Sequence, residues 1–307
     1  MTYRVKMWYL QESNQGHKDF QSFALPTELR YPFSSKCKYS GLLFPLKKNS
    51  TIFFVILHLQ QLVKMQLVID IGNTLIKSYV FDKDQILDSD AESTSYWNSS
   101  LKGIINRHPQ IKTAIVADVN RSFSKELEVF LGNIKTFHCS MALKLPFKSL
   151  YDPNTPLGSD RIALLAACCL IYPKSNVLVI DLGSCITYDL ISAKGIHHGG
   201  SISPGFGMRY KAMNSYSGTL PALDFHQVET PSGRSTEAAM HTGVYFGIKH
   251  EVEGMIKWYE EEIENLTVIL TGGDVERLPK PFKNGIFAHS KFLAKGLNHI
   301  LALNTSS

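Results

Sequence analysis

The sequence predicts an α/β protein made of two domains of like topology. Two observations carry this. Segments with strand patterning alternate with segments of helical patterning through residues 65–307. A strand, glycine turn and strand also occur twice, as Val68-Ile-Asp-Ile-Gly-Asn-Thr74 and as Val179-Ile-Asp-Leu-Gly-Ser-Cys185. Such an internal repeat points to one supersecondary unit used twice. The length agrees, because 307 residues with 44% hydrophobic and 19% charged side chains can fill two ordinary cores.

Each element follows from its local pattern. Residues 66–71 form a short apolar strand, Gly72-Asn73-Thr74 a tight turn, and 75–81 the returning strand. A polar, Ser-rich stretch runs to about Ser100. Residues 101–107 read as a helix, which His108-Pro109 stops. A strand over 113–119, a helix over 122–131 and a short strand over 135–138 follow. The run from Tyr151 to Arg161, with two prolines, reads as a loop leading into an apolar helix over 162–172. The second hairpin uses 176–180 and the residues up to Ile191, with Asp181-Leu-Gly-Ser-Cys185 at its turn. Residues 199–207 read as a glycine-rich loop, and 206–215 and 235–259 as helices. A strand over 267–270 ends in Thr271-Gly-Gly-Asp274, and a helix over 291–303 closes the chain.

The formal net charge of +5 is not spread evenly. Residues 1–64 hold nine Lys/Arg against three acids, whereas 65–307 hold 23 against 24. The body of the chain therefore carries no basic footprint for nucleic acid. The cysteines are Cys37, Cys139, Cys168, Cys169 and Cys185, an odd number without a Cys-x-x-Cys pair. That speaks against a disulfide framework or a zinc site and fits a reducing cytoplasm. No apolar run reaches the ~18–20 residues that cross a bilayer, so no membrane span is expected. Residues 1–64 lack helical or strand periodicity, and their apolar patch at 51–57 comes too late for a signal peptide. The reading is of an N-terminal extension, non-native or disordered, with Met65 as the natural start; the alternative is a regulatory or targeting extension.

The repeated hairpin has a chemical meaning. Each copy ends its first strand in an acid, Asp70 or Asp181, and follows it with a turn whose exposed amides can cradle an anion. Two such turns across a cleft could hold a nucleotide's phosphates, with cations on the carboxylates neutralising them. Gly158-Ser-Asp-Arg161 offers a second feature. Asp160 can take a proton from a substrate hydroxyl while Arg161 holds an anion; alternatively Asp160 caps a helix and Arg161 is solvated. Gly272-Gly273 is either an ordinary turn or a close approach of backbone to an adenine or ribose. No Gly-x-x-x-x-Gly-Lys-Ser/Thr loop, His-Glu-x-x-His or nucleophile elbow occurs, which excludes Walker-type NTPases, zinc proteases and lipases of the usual patterns.

Taken in order, Asp70-Ile-Gly-Asn-Thr74 with Lys77, Tyr151 with Gly158-Ser-Asp-Arg161, Asp181-Leu-Gly-Ser184, Thr187-Tyr-Asp189, Gly199-Gly-x-Ile-x-Pro-Gly205, Ser235-Thr236 and Thr271-Gly-Gly-Asp274 resemble the type III pantothenate kinases of the acetate kinase/Hsp70/actin-like superfamily. The resemblance runs from Met65 to near the C-terminus. It implies two actin-like (ribonuclease H-like) domains around a central cleft, divided as 65–174 and 175–307. It implies that ATP phosphorylates the terminal hydroxyl of pantothenate to 4'-phosphopantothenate, the first step toward coenzyme A. Carried over by residue, Asp70, Ile71, Gly72, Asn73, Thr74, Leu75, Ile76, Lys77 and Ser184 would bind ATP, with Asp70 near Mg²⁺. Asp181 would bind a monovalent cation, K⁺ or NH₄⁺. Asp160 would be the base. Tyr151, Gly158, Ser159, Asp160 and Arg161 would line the pantothenate site, and Arg161 would meet its carboxylate. Thr236 would reach pantothenate from a dimer partner or from the cleft wall, and a homodimer is expected. Two departures stand out: Ser184-Cys185 where the family usually has Thr-Ala, and Pro156-Leu157 where Thr-Leu is commoner. Another kinase of the superfamily, acting on a sugar or acetate, and a non-catalytic regulator are the competing readings. Tyr151 with the Gly-x-Asp-Arg spacing opposes the former, and retention of Asp160 and Asp181 opposes the latter.

Overall fold

The computed structural model describes residues 65–118, 124–278, 285–287 and 291–305. The expected extension over 1–64 lies outside them, as do the last residue of the strand expected to reach 119 and the start of the helix expected from 122.

The first sheet contains β1 (Met65–Ile71), β2 (Leu75–Asp82), β3 (Gln85–Ser93), β4 (Thr113–Asp118) and β5 (Lys135–His138), with α1 (Trp97–Arg107) before β4 and α2 (Ser124–Leu131) before β5. Next come the two-residue β6 (Lys148–Ser149) and the helix α3 (Ser159–Ile171). The second sheet follows with β7 (Asn176–Leu182), β8 (Cys185–Ile191), β9 (Ile196–Pro204), the helices α4 (Phe206–Ser217) and α5 (Thr236–Glu262), then β10 (Leu266–Thr271) and β11 (Gly285–Phe287). Helix α6 (Phe292–Thr305) ends the described chain.

The first sheet runs β3-β2-β1-β4-β5 and the second β9-β8-β7-β10-β11, with β6 added beside β9. In both, the first three strands form an antiparallel meander and the last two lie parallel to the central strand. The repeated topology read from the sequence is therefore present strand for strand.

Alternation along the central strands sorts side chains into three cores. Val68 of β1 and Val177 and Val179 of β7 enter a shared central cluster with Ile162, Leu165, Leu297 and Ile300 of α3 and α6. On the other face of β1, Leu67, Ile69 and Ile71 pack with Leu101 and Ile104 of α1 and Leu127 of α2. On the other face of β7, Leu178, Ile180 and Leu182 pack with Phe206, Tyr210, Val244 and Ile248 of α4 and α5. Central strands covered on both faces read as continuous apolar runs, which is why they were visible in the sequence. Helix α3 is apolar nearly all round because it lies in the shared cluster, with every residue from Ile162 to Cys168 buried.

Two stretches read without strands contain long ones. The polar stretch before Ser100 contains β3, an edge strand with alternately exposed and half-buried residues. Its Asp88, Asp90 and Glu92 discourage further strand pairing at that edge. The glycine-rich stretch from 199 is mostly β9, and only Gly205 breaks it. Helix α1 begins at Trp97, four residues before the expected start at 101, and the Trp97 ring sits edge-on to Phe130 at 5.3 Å. Among the described residues no helix is long and apolar enough to cross a membrane.

Candidate active site

The two repeated turns meet. Each is closed by a glycine amide, Gly72 N–H to the Leu75 carbonyl at 2.9 Å and Gly183 N–H to the Cys185 carbonyl at 3.0 Å. Asn73 Nδ2 of the first turn donates to Ser184 Oγ of the second at 3.3 Å. Both acids occupy the sixth position of a seven-residue strand, Asp70 in β1 and Asp181 in β7. Beside Asp70 on β2 stands Lys77, its cross-strand partner.

Helix α3 brings the third acid. Gly158 is its N-cap residue, so Ser159, Asp160 and Arg161 form the first helical turn, three residues earlier than the expected start at 162. Asp160 Oδ1 accepts from the Arg161 amide at 2.8 Å. A Cβ at Gly158 would stand 2.5 Å from Asp160 Oδ1, so only glycine leaves that carboxylate room.

All three carboxylates are raised, and the charge of Asp160 adds to the burial of the other two. Burial lifts Asp70 from 3.8 to about 6, opposed by Lys77 and reinforced by Asp160. Burial lifts Asp181 further, to about 7, with Asp160 and Asp70 adding and Lys77 opposing. Asp160 is also raised, by burial first, while the Arg161 amide and charge pull it back. Desolvated like charges that share a site resist joint ionisation. Such desolvated acids hold a proton more readily than free carboxylates.

Arg161 is not solvated: it is 4% exposed. Its Nε and Nη2 donate to Asp189 Oδ2 and Oδ1 at 2.8 and 2.6 Å, a bidentate pair. Its guanidinium carbon lies 5.2 Å from the Tyr151 ring centroid, so the loop and the helix turn meet there. The Ser159 hydroxyl is buried and has no hydrogen-bond partner among the described residues.

The remaining expected residues divide by exposure. Asn73 and Thr74 are exposed, as is nearly half of Leu75. Ile71 and Ile76 face each other across β1 and β2 and bury their side chains in the outer core, so only their main chain is available to a ligand. Thr236, exposed at the start of α5, forms no hydrogen bond or ion pair with the three acids among the described residues.

Gly272 has φ +104, and a Cβ there would lie 2.3 Å from the Leu182 carbonyl oxygen and 2.5 Å from Asp181 Oδ1. The close approach it permits is to the end of β7, which packs β10 onto the strand that presents Asp181.

Several neighbours escaped the sequence. The Cys139 thiol sits 3.5 Å from the Ser159 carbonyl and is pushed up to about 12 by burial, with Asp160 and Asp70 adding. The Tyr79 hydroxyl is pushed up to about 12 by burial and by Asp70. Tyr79 lies two residues beyond Lys77 on β2, hence on the same face, and that spacing could have flagged it. Asp189, the partner of Arg161, is 28 residues away; its motif Thr187-Tyr-Asp189 was visible, but nothing local tied it to Arg161.

Comparison with known proteins gives the arrangement its family. The model of the type III pantothenate kinase family matches residues 66–258. The chain belongs to that family. A type III pantothenate kinase of Christiangramia forsetii is 40% identical over 241 residues, covering 78% of this chain and 99% of its own length. One of Flavobacterium psychrophilum is 37% identical over 236 residues, covering 77% and 98%. Among solved structures, a protein of Campylobacter jejuni described as a Baf family transcriptional activator superposes with a TM-score of 0.50 at 24% identity, covering 76% of this chain and 96% of its own. A protein of Sinorhizobium meliloti described as a 2-dehydro-3-deoxygalactonokinase superposes with a TM-score of 0.50 at 10% identity, covering 77% and 98%. Those two likenesses speak to the fold alone.

Proposed function

We propose that this chain transfers the γ-phosphoryl group of ATP to the terminal hydroxyl of pantothenate, forming 4'-phosphopantothenate on the route to coenzyme A. The observation that carries the reading is the convergence of Asp70, Asp181 and Asp160 on two facing amide turns, in a chain that belongs to this kinase family. Phosphoryl transfer needs alignment and charge neutralisation more than covalent help. The amides of Asn73, Thr74 and Ser184 and the hydroxyls of Thr74 and Ser184 would hold phosphate oxygens beside Gly72, whose own amide closes the turn, with Lys77 as the fixed positive charge. Asp160, raised by burial, would accept the hydroxyl proton as the new bond to phosphorus forms. Tyr151, Ser159 and Arg161 would line the pantothenate side, the unpartnered Ser159 hydroxyl offering one hydrogen bond.

The donor set suits cations. Asp181, pushed up to about 7, is hard oxygen short of positive charge, which fits K⁺ or NH₄⁺. Asp70 would lie near Mg²⁺. Mg²⁺ is commonly held by one or two carboxylates together with nucleotide phosphates, and among the described residues no three His, Cys, Asp or Glu side chains form a ready metal cage. When bound, these cations neutralise charge on the transferring phosphoryl group. The same reading includes 65–174 and 175–307 as the two jaws of the cleft, a homodimer in which exposed Thr236 serves a neighbouring site, and a cytoplasmic setting, to which the free thiols of Cys139, Cys168, Cys169 and Cys185 are suited.

The test is coupled ADP release by the full-length protein with pantothenate as acceptor. Asp160→Asn is expected to lower kcat about a thousandfold while nucleotide affinity stays within about twofold. Turnover by Asp160→Asn at the native rate would remove the base from that residue. Failure of the unmodified protein to phosphorylate pantothenate would remove the substrate assignment.

A further inference from the structure

We propose that Asp189 and His197 are positioning residues for pantothenate, holding Arg161 and Tyr151 as one stacked wall of the site. The inference rests on the reading that Arg161 and Tyr151 face the substrate.

It begins with an irregularity in the second sheet. Asp189 pairs with Gly200 and Ile191 pairs with His197, so two steps along β8 oppose three along β9. The extra residue is a bulge, and Gly199 within it has φ +93. Without the bulge, His198 would stand opposite Ile191. With it, His197 turns to the face that carries Asp189 and is fully buried, while His198 is exposed.

His197 then links the parts of the wall. Its Nε2 lies 2.9 Å from Asp189 Oδ1 and its Nδ1 lies 2.8 Å from Ser149 Oγ. Ser149 Oγ accepts from the Tyr151 amide at 3.0 Å. The hydrogen between His197 and Asp189 follows from its acceptor. Burial alone would raise the Asp189 carboxyl, but hydrogen bonds from His197 and Arg161 hold it below its ordinary value, so it is an acceptor. Nε2 therefore carries a hydrogen, and Nδ1 and the Ser149 hydroxyl share the next hydrogen bond of the chain. The rings also stack: Tyr151 lies 6.2 Å from His197 at an interplanar angle of 21°, and Arg161 lies over the other partner, 5.2 Å from the Tyr151 centroid.

A buried charged network is a poor means to stability, since apolar side chains of equal volume commonly serve as well or better. This one converges on two points that face the same ligand. Arg161 follows the proposed base on the first turn of α3, and Tyr151 follows β6, which the Lys148 and Leu150 amides pin to β9 through the Gly195 and His197 carbonyls, each at 2.9 Å. Asp189 fixes the plane of the Arg161 guanidinium by taking two of its donors. His197 fixes Tyr151 by stacking and through Ser149.

The test is steady-state kinetics of the full-length protein with both substrates varied. His197→Phe keeps the stacked ring and loses both hydrogen bonds. It is expected to raise KM for pantothenate about tenfold, with kcat and KM for ATP within about twofold. His197→Gln, which can still donate to Asp189, is expected to recover most of that loss. Ser149→Ala, a milder change at a half-buried position, should raise the same KM about threefold and decides the matter if His197→Phe does not fold. Tyr151→Phe and Arg161→Lys serve as controls on the site itself. If they leave KM for pantothenate unchanged, the substrate-facing reading fails. If they raise it while His197→Phe and Ser149→Ala lower only the Tm, or raise both KM values equally, the network is structural and the inference is overturned.

Discussion

The turn between β1 and β2 and the turn between β7 and β8 are built alike and charged differently. Both central strands have seven residues, the same burial pattern and an aspartate at the sixth place. Both return through a glycine-closed turn into an antiparallel partner. Opposite Asp70 that partner places Lys77, and opposite Asp181 it places the buried Thr187. Cross-strand partners share a face, so the first turn has its own positive charge and the second has a hydroxyl. Burial lifts both acids, to about 6 for Asp70 and about 7 for Asp181; Lys77 pulls both back, while Asp160 and Asp70 push Asp181 up further. A duplicated scaffold has supplied two equivalent acids, and one cross-strand residue gives the first of them a cationic neighbour on its own hairpin.

Three experiments would break or sharpen that contrast. The largest effect is expected from Lys77→Met, which makes the first turn resemble the second. Removing one preorganised charge from a developing phosphoryl anion should lower kcat/KM about a hundredfold or more, read from initial rates at saturating K⁺. A loss below about fivefold would mean that Lys77 only balances Asp70. Thr187→Lys makes the second turn resemble the first. The ratio of rates with and without K⁺ should shrink about tenfold, the size of a 1.4 kcal/mol change in one charge interaction. An unchanged ratio would detach cation dependence from Asp181.

The smallest effect is on stability. Both acids bind protons more tightly folded than at their ordinary value of 3.8. Their contribution to stability is therefore complete below about pH 4 and is lost as pH rises through about 6 to 7. In buffer free of K⁺ and Mg²⁺, the Tm should fall by a few degrees between pH 5 and pH 8. Added K⁺ should restore part of it at pH 8, where the carboxylates are free to bind. A scanning calorimetry series that is flat across this window, or that rises with pH, would show that the acids are not desolvated as the structure has them.

The site was partly legible in the sequence because its framework repeats. Asp70 and Asp181 announced themselves through two copies of one hairpin, and Asp160-Arg161 through its place at the entrance to an apolar helix. Within that framework, contacts that join distant segments were hidden. Asn73 to Ser184, the bond across the two turns, spans 111 residues, and Arg161 to Asp189 spans 28. The two longest of the missed strands were missed for different reasons. Edge strand β3 buries little, so its Ser and Asp residues carry no apolar alternation. Strand β9 holds Gly199 and Gly200, which look like loop punctuation. Gly200 instead lies so near the Tyr188 carbonyl that a Cβ would overlap it at 1.7 Å, and Gly199 supports the bulge.

Local chemistry was enough to determine the alternation of strands and helices, the doubling of the unit and the acids at the strand ends. Apolar periodicity and turn glycines act over a few residues and can be read in one dimension. Tertiary structure alone decided that Arg161 is buried on Asp189, that His197 rather than His198 faces inward, and that Asp160 lifts both Asp70 and Asp181. Those outcomes depend on register, on burial and on charges brought together from β1, β7 and α3. Electrostatic energy depends on distance through space and on the solvent excluded between charges; neither exists until the two sheets have closed on α3 and α6.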